Sequence, residues 1–86
     1  MGFGRLHAVM RKTRLLAILA IGERNRGELA SELGISSQLW LSRVYLSPQM
    51  EMGLIERIDP GHPNSPQQKY ALTKDGKRRI ERVAPL

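Results

Sequence analysis

The stretch GELASELGISSQLWLSRVYL, residues 27–46, decides the fold predicted for this chain. Within it, the small residue Ala30 is followed four positions later by Gly34, and then by Ile35 and two serines. Glycine readily takes the left-handed conformation that a sharp helix exit requires, and serine is a good N-cap. The pattern predicts that one helix ends at Gly34 and that another, capped by Ser36, starts at a sharp angle to it.

Length and composition indicate one small domain covering residues 1–86. Hydrophobic residues make up 41% of the chain, which is enough for a core at the lower end of what folds alone. The absence of cysteine excludes disulfide bonds and thiolate zinc sites. The longest apolar run, residues 15–21, is far shorter than the roughly 20 residues of a membrane span. These features favour a cytoplasmic protein.

Positive charge is concentrated towards both ends of the chain, and the formal net charge is +6. Residues 5–14 contain four basic residues and no acid, whereas residues 74–82 contain five basic residues and two acids. Such a surplus suits a polyanion such as nucleic acid, or an anionic membrane surface. A merely well-solvated surface explains the same charges.

The remaining sequence predicts the order helix, helix, helix, strand, strand, helix. Apolar periodicity predicts helix 1 over about residues 5–21, followed by a polar connection and a helix-turn-helix unit over about residues 27–47. Two strands that flank a proline-rich loop are predicted over about residues 54–72. A last helix, capped by Thr73, is predicted over residues 74–83. We therefore expect a mostly helical α+β domain.

The third helix is harder to predict than the others. Pro48 should kink or split it near residue 47, because proline has no N–H and clashes with the preceding turn. Two faces also compete for burial, so the register of this helix against the core stays open. One face comprises Leu39, Ser42, Leu46 and Met50, and the other comprises Trp40, Leu41 and Val44.

Three motifs lie in order along the chain: ASELGIS at residues 30–36, GLIER at residues 53–57 and YALTKDG at residues 70–76. Together they resemble the winged helix-turn-helix domain of prokaryotic transcription regulators of the MarR and PadR type. The resemblance covers about residues 8–83. It implies a winged helix, with a three-helix core, a two-stranded hairpin called the wing, and a short C-terminal helix.

This resemblance implies a sequence-specific double-stranded DNA-binding protein, a transcription regulator associated with the nucleoid and acting as a homodimer. The recognition helix would enter the major groove, and the wing would contact the backbone or the minor groove. The implied DNA contacts are Ser36, Ser37, Gln38 and Arg43 on the recognition helix, His62, Asn64, Ser65, Gln67, Gln68 and Lys69 on the wing, and Arg24 and Arg26 at the backbone. The candidate dimer surface consists of Met1, Phe3, Leu6, Met10 and residues 83–86.

Other interpretations remain open at this point. Trp40 and Tyr45 are predicted to be packing or interface residues rather than base contacts, because water disfavours their large apolar rings. An exposed Trp40/Tyr45 face would suit a winged-helix protein-interaction module of a larger assembly, and the basic surface would suit a non-specific architectural nucleic-acid binder. The contact candidates could also form an ordinary solvated surface.

Catalysis is not expected from the sequence. His7 and His62 are far apart and lack an evident second ligand or carboxylate, and no glycine loop follows a strand to cradle phosphate. We therefore expect a non-enzyme without metal, cofactor or small-molecule ligand, and without a membrane partner.

Overall fold

A computed structural model describes the backbone of residues 3–83 and the side chains of residues 11–82. Over these residues, four helices and a three-stranded antiparallel sheet confirm the predicted mostly helical α+β class. The helices are α1 (Phe3–Ile21), α2 (Arg26–Leu33), α3 (the consecutive segments Gln38–Leu41, Ser42–Leu46 and Ser47–Glu51) and α4 (Lys74–Val83). The strands are β1 (Arg24–Asn25), β2 (Ile55–Arg57) and β3 (Lys69–Leu72).

The turn after α2 has the conformation predicted from Gly34, which adopts a left-handed φ of 69°. The N–H of Ile35 donates to the carbonyl of Ala30 at 2.8 Å, and the N–H of Gly34 donates to the carbonyl of Ser31 at 3.2 Å. The side chains of Ile35 and Ala30, whose backbones the first of these hydrogen bonds joins, are both buried. This Schellman arrangement satisfies the last carbonyls of α2 and redirects the chain.

Helix α3 begins one residue later than predicted. The Ser37 hydroxyl accepts the N–H of Trp40 at 3.1 Å, and Ser37 has the extended backbone of an N-cap. An N-cap hydroxyl accepts a hydrogen bond from the N–H two or three residues ahead. Ser37, not Ser36, makes this hydrogen bond. The assignment of the cap to Ser36 was wrong.

Pro48 does not split the third helix. Leu41, Ser42, Leu46 and Ser47 all have right-handed helical φ and ψ. The irregularity lies immediately before the proline, where Ser42–Leu46 is π-helical and the N–H of Ser47 donates to the carbonyl of Ser42. A π-helical turn takes up one additional residue without ending the helix, so the chain stays helical through Pro48.

The π-helical segment also explains why two faces of α3 compete in the sequence. Leu41 and Tyr45 are buried, and burial then passes to the adjacent Leu46. The extra residue in the turn rotates the following part of the helix, so that each predicted face contributes one of its leucines to the core. Leu39 and Trp40, at the start of the helix, are exposed.

The sheet has the order β1–β3–β2, with both pairings antiparallel. Strand β1 corrects the polar connection predicted before α2, since Arg24 and Asn25 pair with β3. Asn25 is also the N-cap of α2: its side-chain oxygen accepts the N–H of Glu28 at 2.8 Å, and its own N–H donates to the Glu28 carboxylate at 3.0 Å. The spacing Asn-x-x-Glu is a capping-box signature, so this feature was visible in the sequence.

The core lies between α1, the turn unit and the sheet. Tyr70 and Leu72 are buried together on one face of β3, and Ile80 is buried on α4. The apolar residues of the core are Leu15, Leu16, Leu19, Leu29, Ala30, Leu33, Ile35, Leu41, Tyr45, Leu46, Leu54, Ile55, Tyr70, Leu72 and Ile80. The terminal residues predicted as a dimer surface lie outside the described side chains. No helix within residues 3–83 is both long and apolar enough to cross a bilayer.

The junction between α3, the sheet and α4 is closely packed. Gly53 ends α3 with a left-handed φ of 76°. The Thr73 hydroxyl accepts the N–H of Gly76 at 3.0 Å, which confirms Thr73 as the cap of α4. A Cβ at Gly76 would lie 2.1 Å from the carbonyl oxygen of Leu54. The YALTKDG motif therefore requires glycine at position 76 for a close approach of two backbones.

Candidate functional site

The loop between β2 and β3, residues 58–68, is closed by hydrogen bonds around Gln68. This side chain is only 3% exposed. Its amide nitrogen donates to the carbonyls of Asp59 and His62, and its amide oxygen accepts the N–H of Asp59 at 2.9 Å. Gln68 therefore organises the loop, and the prediction that it contacts a ligand was wrong, because its amide is buried and already bonded.

The other polar residues of this loop differ in whether their side chains already form hydrogen bonds within the loop. The His62 ring Nδ1 lies 2.8 Å from a carboxylate oxygen of Asp59. Ser65 is partly buried, and its hydroxyl accepts the N–H of Gln67 at 3.1 Å. Exposed side chains are presented by His62, Asn64, Gln67 and Lys69. The loop thus has an ordered polar surface that consists largely of internally bonded groups.

The two arginines predicted to grip a backbone phosphate are not equivalent. The Arg24 Nε lies 3.2 Å from the Glu32 carboxylate, and another of its guanidinium nitrogens donates to the carbonyl of Glu23. Arg24 is therefore held by partners within the domain, whereas Arg26 is partly buried at the start of α2. The open cavity of about 420 Å³ beside Arg24 also includes the carboxylates of Glu28 and Glu32, and these carboxylates disfavour an anion there.

A second open cavity, which we call the Arg11–Trp40 groove, lies where α1 meets the turn before α3. Its volume is about 300 Å³, and its lining residues are Arg11, Gly34, Ile35, Ser36, Ser37 and Trp40. The Arg11 guanidinium carbon lies 6.0 Å from the centroid of the Trp40 ring, within cation–π range. The lining contains one cation and no carboxylate.

Trp40 forms the aromatic wall of this groove and is 44% exposed. Its ring meets that of Tyr45 edge to face, with centroids 5.5 Å apart and an interplanar angle of 78°. Tyr45 is only 1% exposed, so it is a packing residue, as predicted. Trp40 instead presents one part of its ring to the surface while the core holds the other part in place.

The Arg11 guanidinium lacks compensation within the described part of the chain. Its Nε is buried and has no hydrogen-bond partner there, and no ion pair joins Arg11 to a carboxylate among residues 11–82. A partly buried charge without a partner loses hydration without gaining a counter-charge. Sequence reasoning missed Arg11, because nothing in the sequence shows that this arginine lies against Trp40.

The four residues predicted for a recognition helix lie around the start of α3. Ser36 and Ser37 line the Arg11–Trp40 groove. Gln38 is exposed at the first residue of α3, and Arg43 is exposed on its π-helical segment. Among the described side chains, no group of three or more histidines and acids could hold a metal ion.

Comparison with known proteins identifies a family for most of the chain. The profile described as "Filamentation induced by cAMP protein Fic-like, C-terminal domain" matches residues 11–73. The chain is also similar to the crystal structure of a Fic family protein from Desulfovibrio desulfuricans G20, with 42% sequence identity and a TM-score of 0.57. That match covers 62% of this chain and 16% of the other chain. No curated protein matches the sequence.

These matches correct the functional assignment drawn from the three motifs. The family is Fic-like and not the MarR or PadR type, so transcription regulation and double-stranded DNA as the partner were wrong. The DNA contacts, the homodimer on a palindromic site, the architectural nucleic-acid alternative and the nucleoid association lose their basis with that function. Similar local motifs report shared local structure and do not specify function. Because the profile covers residues 11–73, the chain belongs to the Fic-like C-terminal domain family.

Proposed function

We propose that this chain serves as the C-terminal domain of a Fic-type protein and that its contribution is to bind protein, not to catalyse. The family match over residues 11–73 is the observation that carries the proposal. The similar segment makes up 16% of a Fic family protein, which leaves most of that protein outside the likeness. Fic family proteins are often AMPylators. The proposal assigns the transfer of AMP to another part of such a protein.

Two surface features favour a binding role. Leu39 and Trp40 are adjacent, and 60% and 44% of their respective surfaces are exposed. Tryptophan and arginine are enriched among the residues that dominate the energetics of protein interfaces. The Arg11–Trp40 groove combines both residue types beside the exposed leucine. This combination supports protein binding more directly than the basic charge of the chain does.

For the architecture, we propose a winged helix. The α2–turn–α3 unit, the β2–β3 hairpin and the short β1 strand that extends the hairpin all support this assignment. Such an architecture is compatible with many unrelated functions, so it does not restore the DNA-binding interpretation.

A chimera tests the assignment to a Fic-type protein. The segment of the Desulfovibrio desulfuricans protein that matches this chain is replaced by the corresponding residues of this chain. A control chimera receives an unrelated small α+β domain in the same place. We expect the first chimera to unfold cooperatively near the melting temperature of the parent in calorimetry, whereas the control unfolds in separate transitions.

The non-catalytic part of the proposal has a separate test. The chain alone is incubated with ATP and magnesium, with and without a candidate acceptor protein, and intact masses are recorded. We expect no increase corresponding to an AMP adduct on either protein. An AMP adduct formed by this chain alone would show that it is itself an enzyme, and a chimera that unfolds like the control would contradict the domain assignment.

A further inference from the structure

We propose that the Arg11–Trp40 groove is the docking site for a short acidic segment of a partner protein, in which a carboxylate lies next to an apolar side chain. This inference rests on the proposed function, because it assigns the protein-binding role to one surface and one ligand chemistry. Three properties of the groove support this ligand: a fixed aromatic wall, an uncompensated cation and a small open volume.

The aromatic wall is exposed and also held in place. Among the described side chains, Tyr45 and Tyr70 are at most 3% exposed, whereas Trp40 is 44% exposed. The edge-to-face contact with Tyr45 and the nearby Arg11 guanidinium restrict the orientation of the Trp40 ring. A side chain that is ordered before binding loses little conformational entropy when a partner covers it. Trp40 therefore has the properties of an interface anchor, and exposed Leu39 extends its apolar surface.

The cation determines the sign of the charge that the groove accepts. Arg11 has no carboxylate partner among residues 11–82, and its Nε lacks a hydrogen-bond partner there. A carboxylate bound to the open part of the guanidinium would supply the missing counter-charge, and guanidinium groups match carboxylates in shape and charge. An acidic ligand thus stabilises a group that the domain leaves uncompensated.

The residues around the groove also favour a negatively charged ligand. Its lining has no acid, and exposed Arg43 follows Trp40 by three residues, a spacing that makes side chains neighbours on a helix surface. Glu32, an acid of the neighbouring α2, is paired with Arg24. With a net charge of +6 on the whole chain, the electrostatic field attracts an acidic segment and repels a basic one.

The size of the groove favours a short peptide segment. Its volume of about 300 Å³ is near the lower limit of ligand pockets, which span roughly 300–1,000 Å³. Such a space accommodates one or two side chains. The lining includes an apolar residue, Ile35, and a polar residue, Ser36. An apolar side chain against Trp40 and an adjacent carboxylate at Arg11 would use both chemistries.

The fluorescence of Trp40 gives a direct test, because the chain contains one tryptophan. The full chain is titrated with the peptide acetyl-Gly-Glu-Leu-Glu-Leu-Gly-amide and, separately, with the same peptide carrying glutamine in place of both glutamates. We expect a saturable change in Trp40 emission with the acidic peptide and about tenfold weaker binding of the neutral one, since charge-assisted hydrogen bonds are lost.

Variants of Arg11 connect the charge preference to the groove. Arg11→Gln should remove the preference for the acidic peptide, whereas Arg79→Gln changes the net charge equally on exposed α4 and should preserve it. If circular dichroism shows that Arg11→Gln is unfolded, Arg11→Lys replaces it. Arg11→Lys keeps the charge but loses the planar fork, so it should retain only part of the preference.

Several outcomes would overturn the proposal. These are equal binding of both peptides, no saturable response to the acidic peptide, and a preference that survives in Arg11→Gln. Emission that changes with protein concentration alone would assign the groove to a second copy of the chain, and a response to an oligonucleotide that the acidic peptide does not displace would assign it to nucleic acid. If the acidic peptide does not bind but the chimera unfolds cooperatively, the groove proposal fails and the proposed function is retained. If the peptide binds but the chimera unfolds like its control, the proposed function fails and the groove proposal is retained.

Discussion

The β2–β3 loop and the Arg11–Trp40 groove are both polar parts of the surface, but they differ in whether their polar groups have partners. In the loop, the amide nitrogen of buried Gln68 donates to the carbonyls of Asp59 and His62, and its amide oxygen accepts the N–H of Asp59. In the groove, the Arg11 Nε is buried without a partner among the described residues, beside a half-exposed tryptophan. Polar composition alone therefore does not identify a binding surface.

The energetic consequence of this difference has a definite direction. A buried polar group without a partner costs about 1–3 kcal/mol relative to one that is bonded. A carboxylate bound to the open part of the Arg11 guanidinium supplies a counter-charge, whereas a ligand that approaches the loop must compete with hydrogen bonds already formed. Removal of the Gln68 amide should therefore change stability, whereas removal of the Arg11 guanidinium should change binding.

The largest effect is expected from Gly76→Ala, in the first turn of α4. Alanine usually gains about 1 kcal/mol over glycine within a helix, but here its Cβ would lie 2.1 Å from the backbone oxygen of Leu54. Because a backbone cannot move aside as a side chain can, we expect a loss of more than about 3 kcal/mol in the free energy of unfolding. Urea denaturation followed by circular dichroism measures it.

Gly61→Ala is the matched control for this substitution. A Cβ at Gly61 meets only a side-chain oxygen of Asp59, at the ordinary contact distance of 3.6 Å. We expect a change within about 0.5 kcal/mol. Similar losses for the two alanine variants would show that the close approach at Gly76 does not determine stability.

Gln68→Ala should have the next largest effect, because it breaks the hydrogen bonds that close the loop. The substitution leaves the N–H of Asp59 and two carbonyls without their partner, so we expect a loss of about 2 kcal/mol in the free energy of unfolding. Hydrogen exchange at the Asp59 amide should become faster at the same time. The affinity for the acidic peptide should not change, since the groove is lined by other residues.

Gln67→Ala is the control for the loop, since Gln67 is exposed and its side chain makes no described hydrogen bond. Its expected change in stability is within about 0.5 kcal/mol. A large loss in Gln67→Ala, or none in Gln68→Ala, would contradict the view that a single buried amide organises the loop.

The sequence predicted those parts of the fold that depend on nearby residues. Gly34 ends α2 with a left-handed φ, and Thr73 caps α4, because each effect involves only the adjacent turn. Strand β1 was missed, since two residues acquire strand geometry only by pairing with distant β3. The register of α3 was left open because π-helical geometry is decided by packing against the rest of the core.

The candidate site was less predictable than the fold. Trp40 was recognised as a packing or interface residue, but its partner Arg11 lies on another helix and no local pattern relates the two. Gln68 was interpreted as a surface donor, although its amide turns inward to bond the loop. The functional assignment was wrong for a different reason: the three motifs encode turns, caps and close packing, and such features recur in families with unrelated functions.

A smaller effect should separate the two serines that line the groove. The Ser37 hydroxyl accepts the N–H of Trp40, so Ser37→Ala should lower the free energy of unfolding by about 1 kcal/mol. Ser36→Ala, one residue earlier in the same groove, should leave stability unchanged because Ser36 is exposed and makes no described cap. Thermal unfolding of both variants measures the difference. A loss of stability in Ser36→Ala with none in Ser37→Ala would assign the N-cap to Ser36 instead.

The smallest effect on stability is expected from Leu39→Ala, which tests whether Leu39 belongs to the docking surface. Leu39 is 60% exposed beside Trp40, so its truncation removes little buried surface and should change stability by less than about 0.5 kcal/mol. Met52→Ala is the control, because Met52 is 54% exposed at the opposite end of α3. If the groove binds an acidic, apolar segment, Leu39→Ala weakens binding of the glutamate–leucine peptide while Met52→Ala does not. Wild-type affinity in both variants would restrict the docking surface to Arg11 and Trp40, whereas an equal loss of affinity in both would show that peptide binding follows general surface hydrophobicity.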